Sequence, residues 1–476
     1  MPADGATKTD LIGTLRAALG DGAVATGDDA ARWSQDWTGQ FAWTPLCVAR
    51  PTDTAGVARV LQEARAAGVP VVPVSGNTNL AGGTVAEGAV MLSLDRMNRV
   101  REINEKARTA TVEAGVILSQ LHAATEAHGL TFPMTFGAKG SAMLGGMLST
   151  NAGGSGVLRY GNTRDLVLGI EAVLPDGRVL DAMAALHKDN SGLDLRHLLI
   201  GAEGTLGVIT AATVKLVQLP LARATATVAV PDLDAGLQLL NRLQTASGGA
   251  VEACEYMDRA FMRNYAAHYP DAARPFAEEH DVTILIELAS TAPRDATPRP
   301  DGQVPLAAHL ESVLGDMLED GLVLDAVVAQ SEAQRTAMWQ RREAAAEIIV
   351  SRKPVVITDI AVPVDAVATF LERMQARLQE IDPRAEPLAI AHLGDGNIHY
   401  SIWPTDGALK DALTEAVEDE VLALRGSFSA EHGIGTAKLG SMRRRKDPVA
   451  LDVMRAIKAA LDPDGVLNPG KVVPPR

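Results

Sequence analysis

Late in a chain of 476 residues, three histidines and a glutamate stand among glycines. The first group reads Ala391-His392-Leu393-Gly394-Asp395-Gly396-Asn397-Ile398-His399, and the second Ser429-Ala430-Glu431-His432-Gly433-Ile434-Gly435. Imidazole nitrogen and carboxylate oxygen suit zinc or a related divalent ion, and three protein ligands leave a coordination position open for substrate. His392, His399 and Glu431 therefore read as a catalytic metal site. The same residues admit a plainer reading, in which the first two histidines only hydrogen-bond a tight turn. Asp-Gly and Gly-Asn favour chain reversal, so the Gly-Asp-Gly-Asn core predicts a hairpin with His392 and His399 facing each other across it.

A metal site of this kind serves hydrolysis or oxidation, and the elements that position it must decide. Val69 to Val74 is a short β-rich run that delivers the chain into Ser75-Gly76-Asn77-Thr78-Asn79-Leu80-Ala81-Gly82-Gly83-Thr84. A loop so rich in glycine can wrap successive N–H groups round an anion, because glycine accepts positive φ and close approach. A second region of small residues holds Gly137-Ala138-Lys139-Gly140-Ser141, Gly145-Gly146, Thr150-Asn151-Ala152-Gly153-Gly154 and Arg159-Tyr160-Gly161. Met143, Leu144, Met147 and Leu148 within it argue against a flexible linker. The run Leu198 to Thr210 is predicted as an extended, glycine-punctuated strand beside a bound cofactor. No G-x-G-x-x-G is present, which weakens a nicotinamide reading. Gly465 to Lys471 reads G-x-x-x-x-G-K, yet Val472 replaces the magnesium-binding Ser or Thr of a phosphate loop. A large flavin dinucleotide held by several separate glycine loops remains.

Length predicts two or three domains with ample core. Hydrophobic residues make up 47% and charged residues 22%, a globular balance. A net charge of −15 disfavours nucleic acid or an anionic membrane as partner, and leaves a small anionic substrate dependent on a metal or an arginine. Only Cys47 and Cys254 are present, and no signal peptide or membrane-length apolar run is evident, so a cytoplasmic protein is expected. Trp33, Trp37 and Trp43 cluster in a lead-in expected to pack on a neighbouring surface. Beyond Leu221 the glycine density falls, and strands and helices alternate (224–230, 234–243, 282–288, 307–318, 323–329 and 332–349). That alternation predicts an antiparallel sheet with helices on one face.

These motifs resemble the flavin-dependent D-2-hydroxyacid dehydrogenases of the vanillyl-alcohol oxidase and para-cresol methylhydroxylase flavoprotein superfamily. The resemblance runs from about residue 45 to Lys471 and rests on the glycine loops, Glu203 to Thr210, both histidine motifs and Asn468-Pro469-Gly470-Lys471. It implies an α+β protein with a two-part FAD-binding domain over 1–220. A substrate or cap domain with an antiparallel sheet follows over 221–425, and a C-terminal segment, 426–476, returns to the first. It places FAD on Pro73, Ser75, Gly76, Asn77, Thr78, Asn79 and Leu80, then on Pro133, Gly137, Ala138, Ser141, Gly145 and Gly146. Further contacts fall on Thr150, Asn151, Gly153, Gly154, Tyr160, Glu203, Gly204, Gly207, Val208, Ile209 and Asn468. Relatives that tether flavin covalently carry a histidine in the first loop. Ser75 to Leu80 has none, so noncovalent FAD is expected. His392, His399 and Glu431 would hold Zn2+, with Mn2+ and Co2+ as alternatives. Such an ion lowers the pKa of a bound hydroxyl. His432 resembles the general base that takes the hydroxyl proton as hydride leaves for flavin N5, with a fourth metal ligand or a flavin hydrogen-bond donor as its alternative roles. Arg342 aligns with the arginine that binds the substrate carboxylate, with Arg341 its neighbour and alternative.

The first half looks most like the D-2-hydroxyglutarate enzymes. The substrate half departs from them, because their lysine falls at Ile357, a threonine at Ala346 and an asparagine at Ser401. A monocarboxylic D-2-hydroxyacid such as D-lactate is therefore the expected substrate, with D-2-hydroxyglutarate as the alternative. Other classes are an FAD-carrying subunit of a multi-subunit glycolate oxidase and a redox-inert metal hydrolase. The electron acceptor (electron-transfer flavoprotein, quinone or cytochrome) is left open by the sequence, and a homodimer is compatible with it.

Overall fold

The computed structural model describes residues 5–475 and divides the chain into two compact units. The first comprises residues 1–153, 162–218 and 431–476, and the second 154–161 and 219–430. The chain thus crosses between units at Gly154–Gly161 as well as near Gln218 and Ala430. The short crossing, expected with the flavin loops, belongs to the second unit for a packing reason. Leu158 lies against Gly394, where a Cβ would come within 2.7 Å of its Cδ1, and Arg159 donates to the Ala289 carbonyl at 2.8 Å.

In the first unit, Cys47–Ala49, Val90–Ser93 and Val71–Val74 pair in parallel, with Val24–Ala25 added antiparallel at the edge. The helix Thr54–Ala66 starts where the Asp53 carboxylate accepts the Gly56 amide at 2.7 Å. It buries Val57, Val60, Leu61 and Ala64 against this sheet. A second sheet is antiparallel, in the order Val100–Asn104, Thr109–Glu113, Val208–Lys215, Val167–Val173 and Val179–Ala182. The C-terminal segment joins the first sheet: Val71 donates to the Val466 carbonyl at 2.9 Å and accepts from the Asn468 amide at 2.8 Å. Trp33 and Trp43 are buried, whereas Trp37 is 57% exposed and donates its indole N–H to the Thr78 carbonyl.

One expectation changes here. Leu198 to Thr210 is not one strand: a helix ends at Leu199, turns follow, and the strand begins at Val208. The interruption falls at Gly201, Glu203 and Gly204, all at positive φ. Within the glycine-rich region a helix forms over Leu144–Thr150 and ends on left-handed Asn151.

The second unit is built on a seven-stranded antiparallel sheet. Its strands are β1 (Ala222–Val230), β2 (Val251–Asp258), β3 (Val282–Ser290), β4 (Asp325–Val328), β5 (Val356–Ala361), β6 (Glu386–His392) and β7 (Asn397–Trp403). They lie side by side in the order β4-β1-β3-β2-β6-β7-β5. One face is almost wholly apolar, with Val228, Ile284, Ala391, Ile398 and Tyr400 beneath helices α1 (Leu233–Ser247), α3 (Pro305–Glu319), α6 (Val367–Ile381) and α7 (Lys410–Ala423). Contrary to expectation, helices also cover part of the other face: α2 (Arg259–His268), α4 (Glu332–Glu343) and α5 (Ala345–Val350). Met257, Leu285, Leu388, Ile390 and Trp403 are apolar there and pack on Phe261, Met338, Ile348 and Ile349. The rest of that face is polar and carries the histidines.

Leu393 to Gly396 connect β6 to β7. Gly396 has φ 78°, and a Cβ there would lie 2.1 Å from the Val362 carbonyl oxygen. Gly396→Ala should therefore cost at least about 1 kcal/mol from backbone conformation alone, with the clash added, and disturb both histidines. A thermal melt of the variant indistinguishable from wild type would contradict this.

Candidate flavin and metal site

Strand alternation sets up the metal half. His392 pairs across β6 and β7 with Asn397, while Ile390 pairs with His399, so the two histidines share a face as diagonal neighbours. Their Nε2 atoms are 3.5 Å apart. Two nitrogens bound tetrahedrally to one ion, each about 2.0–2.1 Å from it, stand roughly 3.4 Å apart, so this pair fits a divalent metal. Behind each ring lies a carboxylate. His392 Nδ1 contacts Glu255 Oε1 at 2.8 Å, and His399 Nδ1 stands 3.7 Å from Asp359 Oδ1. The Glu255 acceptor on His392 Nδ1 fixes the tautomer that presents Nε2 to a metal. Asp359 is itself held by the Asn397 side chain at 3.0 Å. The Ala430 amide donates to the Asp359 carbonyl at 3.2 Å, and Glu431 is the next residue of the chain.

Glu255 also accepts from Arg342 Nε at 2.8 Å. Burial raises the pKa of its carboxyl, but His392 and Arg342 outweigh burial and hold it at about 2. Arg342 lies on this face, and its Nη2 is buried with no hydrogen-bond partner among the described residues. Arg341 points elsewhere, donating to the Ala273 carbonyl at 2.9 Å and lying over the Tyr265 ring. Ser401 and Thr227, on the same face, bury hydroxyls that are likewise without a partner among the described residues. Orphaned buried polar atoms call for an explanation, and a polar ligand supplies one.

The flavin half lies in the first unit. The amides of Gly76, Asn77, Thr78, Asn79 and Leu80 donate to no acceptor among the described residues. The loop instead holds itself through side chains: Asn79 Nδ2 donates to Thr84 Oγ1, Thr84 Oγ1 to Asn77 Oδ1, and Asn77 Nδ2 to the Gln35 carbonyl. Consecutive unspent amides next to left-handed Asn77 make a nest that fits the pyrophosphate of FAD. A Cβ on Gly76 would meet the Ser141 carbonyl oxygen at 2.3 Å, and one on Gly145 would meet Ala114 Cβ at 2.8 Å and Ser75 Oγ at 3.0 Å. The loops at Ser75–Leu80, Gly137–Ser141 and Gly145–Gly146 are thereby packed together, with glycine required where they touch. Pro73 packs on Gly204, and Asn468 Nδ2 donates to the Glu203 carbonyl at 2.7 Å. Tyr160 is placed in the second unit, where its hydroxyl donates to Glu252 at 2.5 Å.

Glu203 ties this half to the second motif. Its two carboxylate oxygens accept the amides of Ile434 at 2.7 Å and Gly435 at 2.8 Å. Burial raises the Glu203 pKa against the pull of those amides and of nearby lysines, and burial lowers that of Lys471 to about 8 against the pull of Glu203. A Cβ on Gly153 would lie 2.5 Å from Glu431 Oε1, so this carboxylate rests directly on the backbone of the Thr150–Gly154 segment.

Sequence reasoning missed Glu255. Its signal is a carboxylate set between buried Cys254 and Tyr256, and nothing local links it to His392, 137 residues on.

Among known families, residues 45–183 match an FAD binding domain and residues 219–472 match the C-terminal domain of FAD linked oxidases. The chain is 35% identical over 452 residues to D-2-hydroxyglutarate dehydrogenase of Xanthomonas citri pv. viticola, covering 93% of this chain and 92% of that protein. The enzyme of the same name from Stutzerimonas stutzeri is 35% identical over 476 residues, covering 98% and 99%. Among solved structures, p-cresol methylhydroxylase with substrate bound superimposes with a TM-score of 0.75 at 16% identity over 99% of this chain and 98% of that one, a likeness of fold.

The amide nest predicts two measurable outcomes. Acid precipitation should release the flavin into the supernatant, and flavin remaining with the pellet would contradict noncovalent binding. Gly76→Ala should purify with little flavin, and a full complement of bound FAD in that variant would refute the placement.

Proposed function

The chain belongs to the FAD-dependent D-2-hydroxyacid dehydrogenases, and on that premise we propose that it oxidises a monocarboxylic D-2-hydroxyacid such as D-lactate with the help of a divalent metal. The observation that carries the joint flavin and metal reading is the contact inside the first unit between Glu431 and Gly153, which sets a metal-ligand carboxylate on a flavin loop. Bound FAD supplies the hydride acceptor, and a metal on His392, His399 and Glu431 supplies Lewis acidity toward the substrate oxygens.

The protein's own groups do the rest. Arg342, oriented by Glu255, binds a carboxylate through the guanidinium nitrogens that Glu255 leaves over. His432 takes the hydroxyl proton, its imidazole being suited to a base near neutral pH. Glu203 holds the backbone just beyond His432, so the base is carried on a fixed loop rather than a free one. The amides of Gly76 to Leu80 receive the cofactor pyrophosphate.

The preference for a monocarboxylic acid is supported by what surrounds Arg342. On the histidine face β5 presents exposed Ile357, and Arg335 is already spent on Glu287 through bonds of 2.7 and 2.9 Å. A second substrate carboxylate finds no further uncommitted cation on this face among the described residues. The names of the relatives favour D-2-hydroxyglutarate as a second reading. The unpartnered Nη2 of Arg342 could serve its distal carboxylate.

Anaerobic mixing of the flavoprotein with D-lactate, D-2-hydroxyglutarate and their L forms should bleach the flavin with a D acid alone, and D-lactate should give the higher kcat/KM. A higher value for D-2-hydroxyglutarate would establish the second reading, and no bleaching by any 2-hydroxyacid in metal-replete protein would sink both. Chelation or His392→Ala should abolish bleaching while FAD stays bound. Full turnover in metal-free protein would refute the metal role.

A further inference from the structure

We propose that Glu255 is a positioning residue that sets the metal-ligand imidazole and the substrate-binding guanidinium together, so that metal affinity and substrate affinity depend on one buried carboxylate. The inference rests on the metal reading of His392 and His399 and on Arg342 as the substrate arginine.

Glu255 is 1% exposed on a central strand of the sheet. Each of its oxygens is committed to a different partner: Oε1 to His392 Nδ1 and Oε2 to Arg342 Nε, both at 2.8 Å. A carboxylate so deeply buried is stable as an anion only when it is paired and hydrogen-bonded, and here both partners belong to the site. The bond to Nδ1 leaves the ring's Nε2 lone pair directed at the metal position and makes it the stronger donor. The bond to Nε fixes the guanidinium plane and uses one edge of it, leaving Nη2 buried without a partner among the described residues. The arginine is thus preorganised to receive a carboxylate along its remaining edge, with its buried charge already balanced. An arginine held only by its own helix would supply charge but not that orientation. Glu255 thus joins His392 and Arg342 through one side chain.

Replacing Glu255 with Gln keeps the shape but removes the charge, and its amide nitrogen must confront one of two donors. Metal affinity of Glu255→Gln, read by competition of Zn2+ with a chromophoric chelator in the FAD-loaded protein, should fall about 10–100-fold. With the metal saturating, KM for the hydroxyacid should rise, while flavin content and visible spectrum match wild type. Glu255→Asp keeps the charge one methylene short, and its metal affinity and KM should fall between those of wild type and Glu255→Gln. It also serves alone should Glu255→Gln fail to fold. Because both act along one path, the KM of the Glu255→Gln/Arg342→Met double variant should equal that of Arg342→Met. A wild-type protein that binds Zn2+ beside a Glu255 variant of equal metal affinity and equal KM overturns this inference alone, as do additive effects in the double variant. A wild-type protein without measurable Zn2+ affinity overturns the metal reading and this inference with it.

Discussion

One carboxylate ties the first unit together across its sequence. Glu203 accepts the amides of Ile434 and Gly435 and so joins residues more than two hundred positions apart. Its surroundings are shaped to admit it: Gly433 has φ 74°, and a side chain there would lie 2.7 Å from the carboxylate. Glu203 itself sits at φ 49°, a conformation that costs a residue with a Cβ of order 1 kcal/mol. That strain is held in place by the neighbouring turns and by Asn468, which bonds the Glu203 carbonyl. The clamp thus fixes the backbone immediately after Glu431 and His432.

The second unit solves a different problem. Its sheet must be apolar on one side to fold, and on the other it must keep imidazoles, carboxylates and a guanidinium out of bulk water without leaving charge unbalanced. Strand alternation makes both possible, since every second residue of β6 and β7 joins the apolar face while the intervening ones include His392, His399 and Ser401 as well as the apolar Leu388, Ile390 and Trp403. The carboxylates Glu255 and Asp359 behind the imidazoles, and Glu287 beneath Arg335 and Trp339, show how far the chain goes to neutralise what it buries.

The candidate metal ligands and the candidate flavin loop could be named from the sequence because their chemistry is local: a ligand type, a turn, a run of small residues. The helix Leu144–Thr150 could not, since Gly145 and Gly146 lower helix propensity. Those glycines are there so that the helix can lie against Ala114 and Ser75, and the packing that requires them outweighs their propensity. The strand expected through Leu198 to Thr210 failed at Glu203 for a related reason, because a clamp to residues far along the chain dictates its backbone. Arg342 could be named only through resemblance, and Glu255 not at all, since its partners lie 87 and 137 residues away. What sequence reading loses is the set of residues whose role is to hold another residue.

The bridge between Val71 and Leu467 has a further consequence for how the polypeptide acquires its shape. During synthesis the second unit has nearly all its residues, 219–430, in one stretch and can close as soon as they leave the ribosome. The first unit must wait: the strand Val71–Val74 gains its last neighbours only when residues 466–468 arrive, nearly four hundred residues later. Until then the strand that leads into Ser75–Leu80 lacks its bonds to Val466 and Asn468. The strand leading into that loop is thus completed by the same C-terminal segment that carries Glu431 and His432.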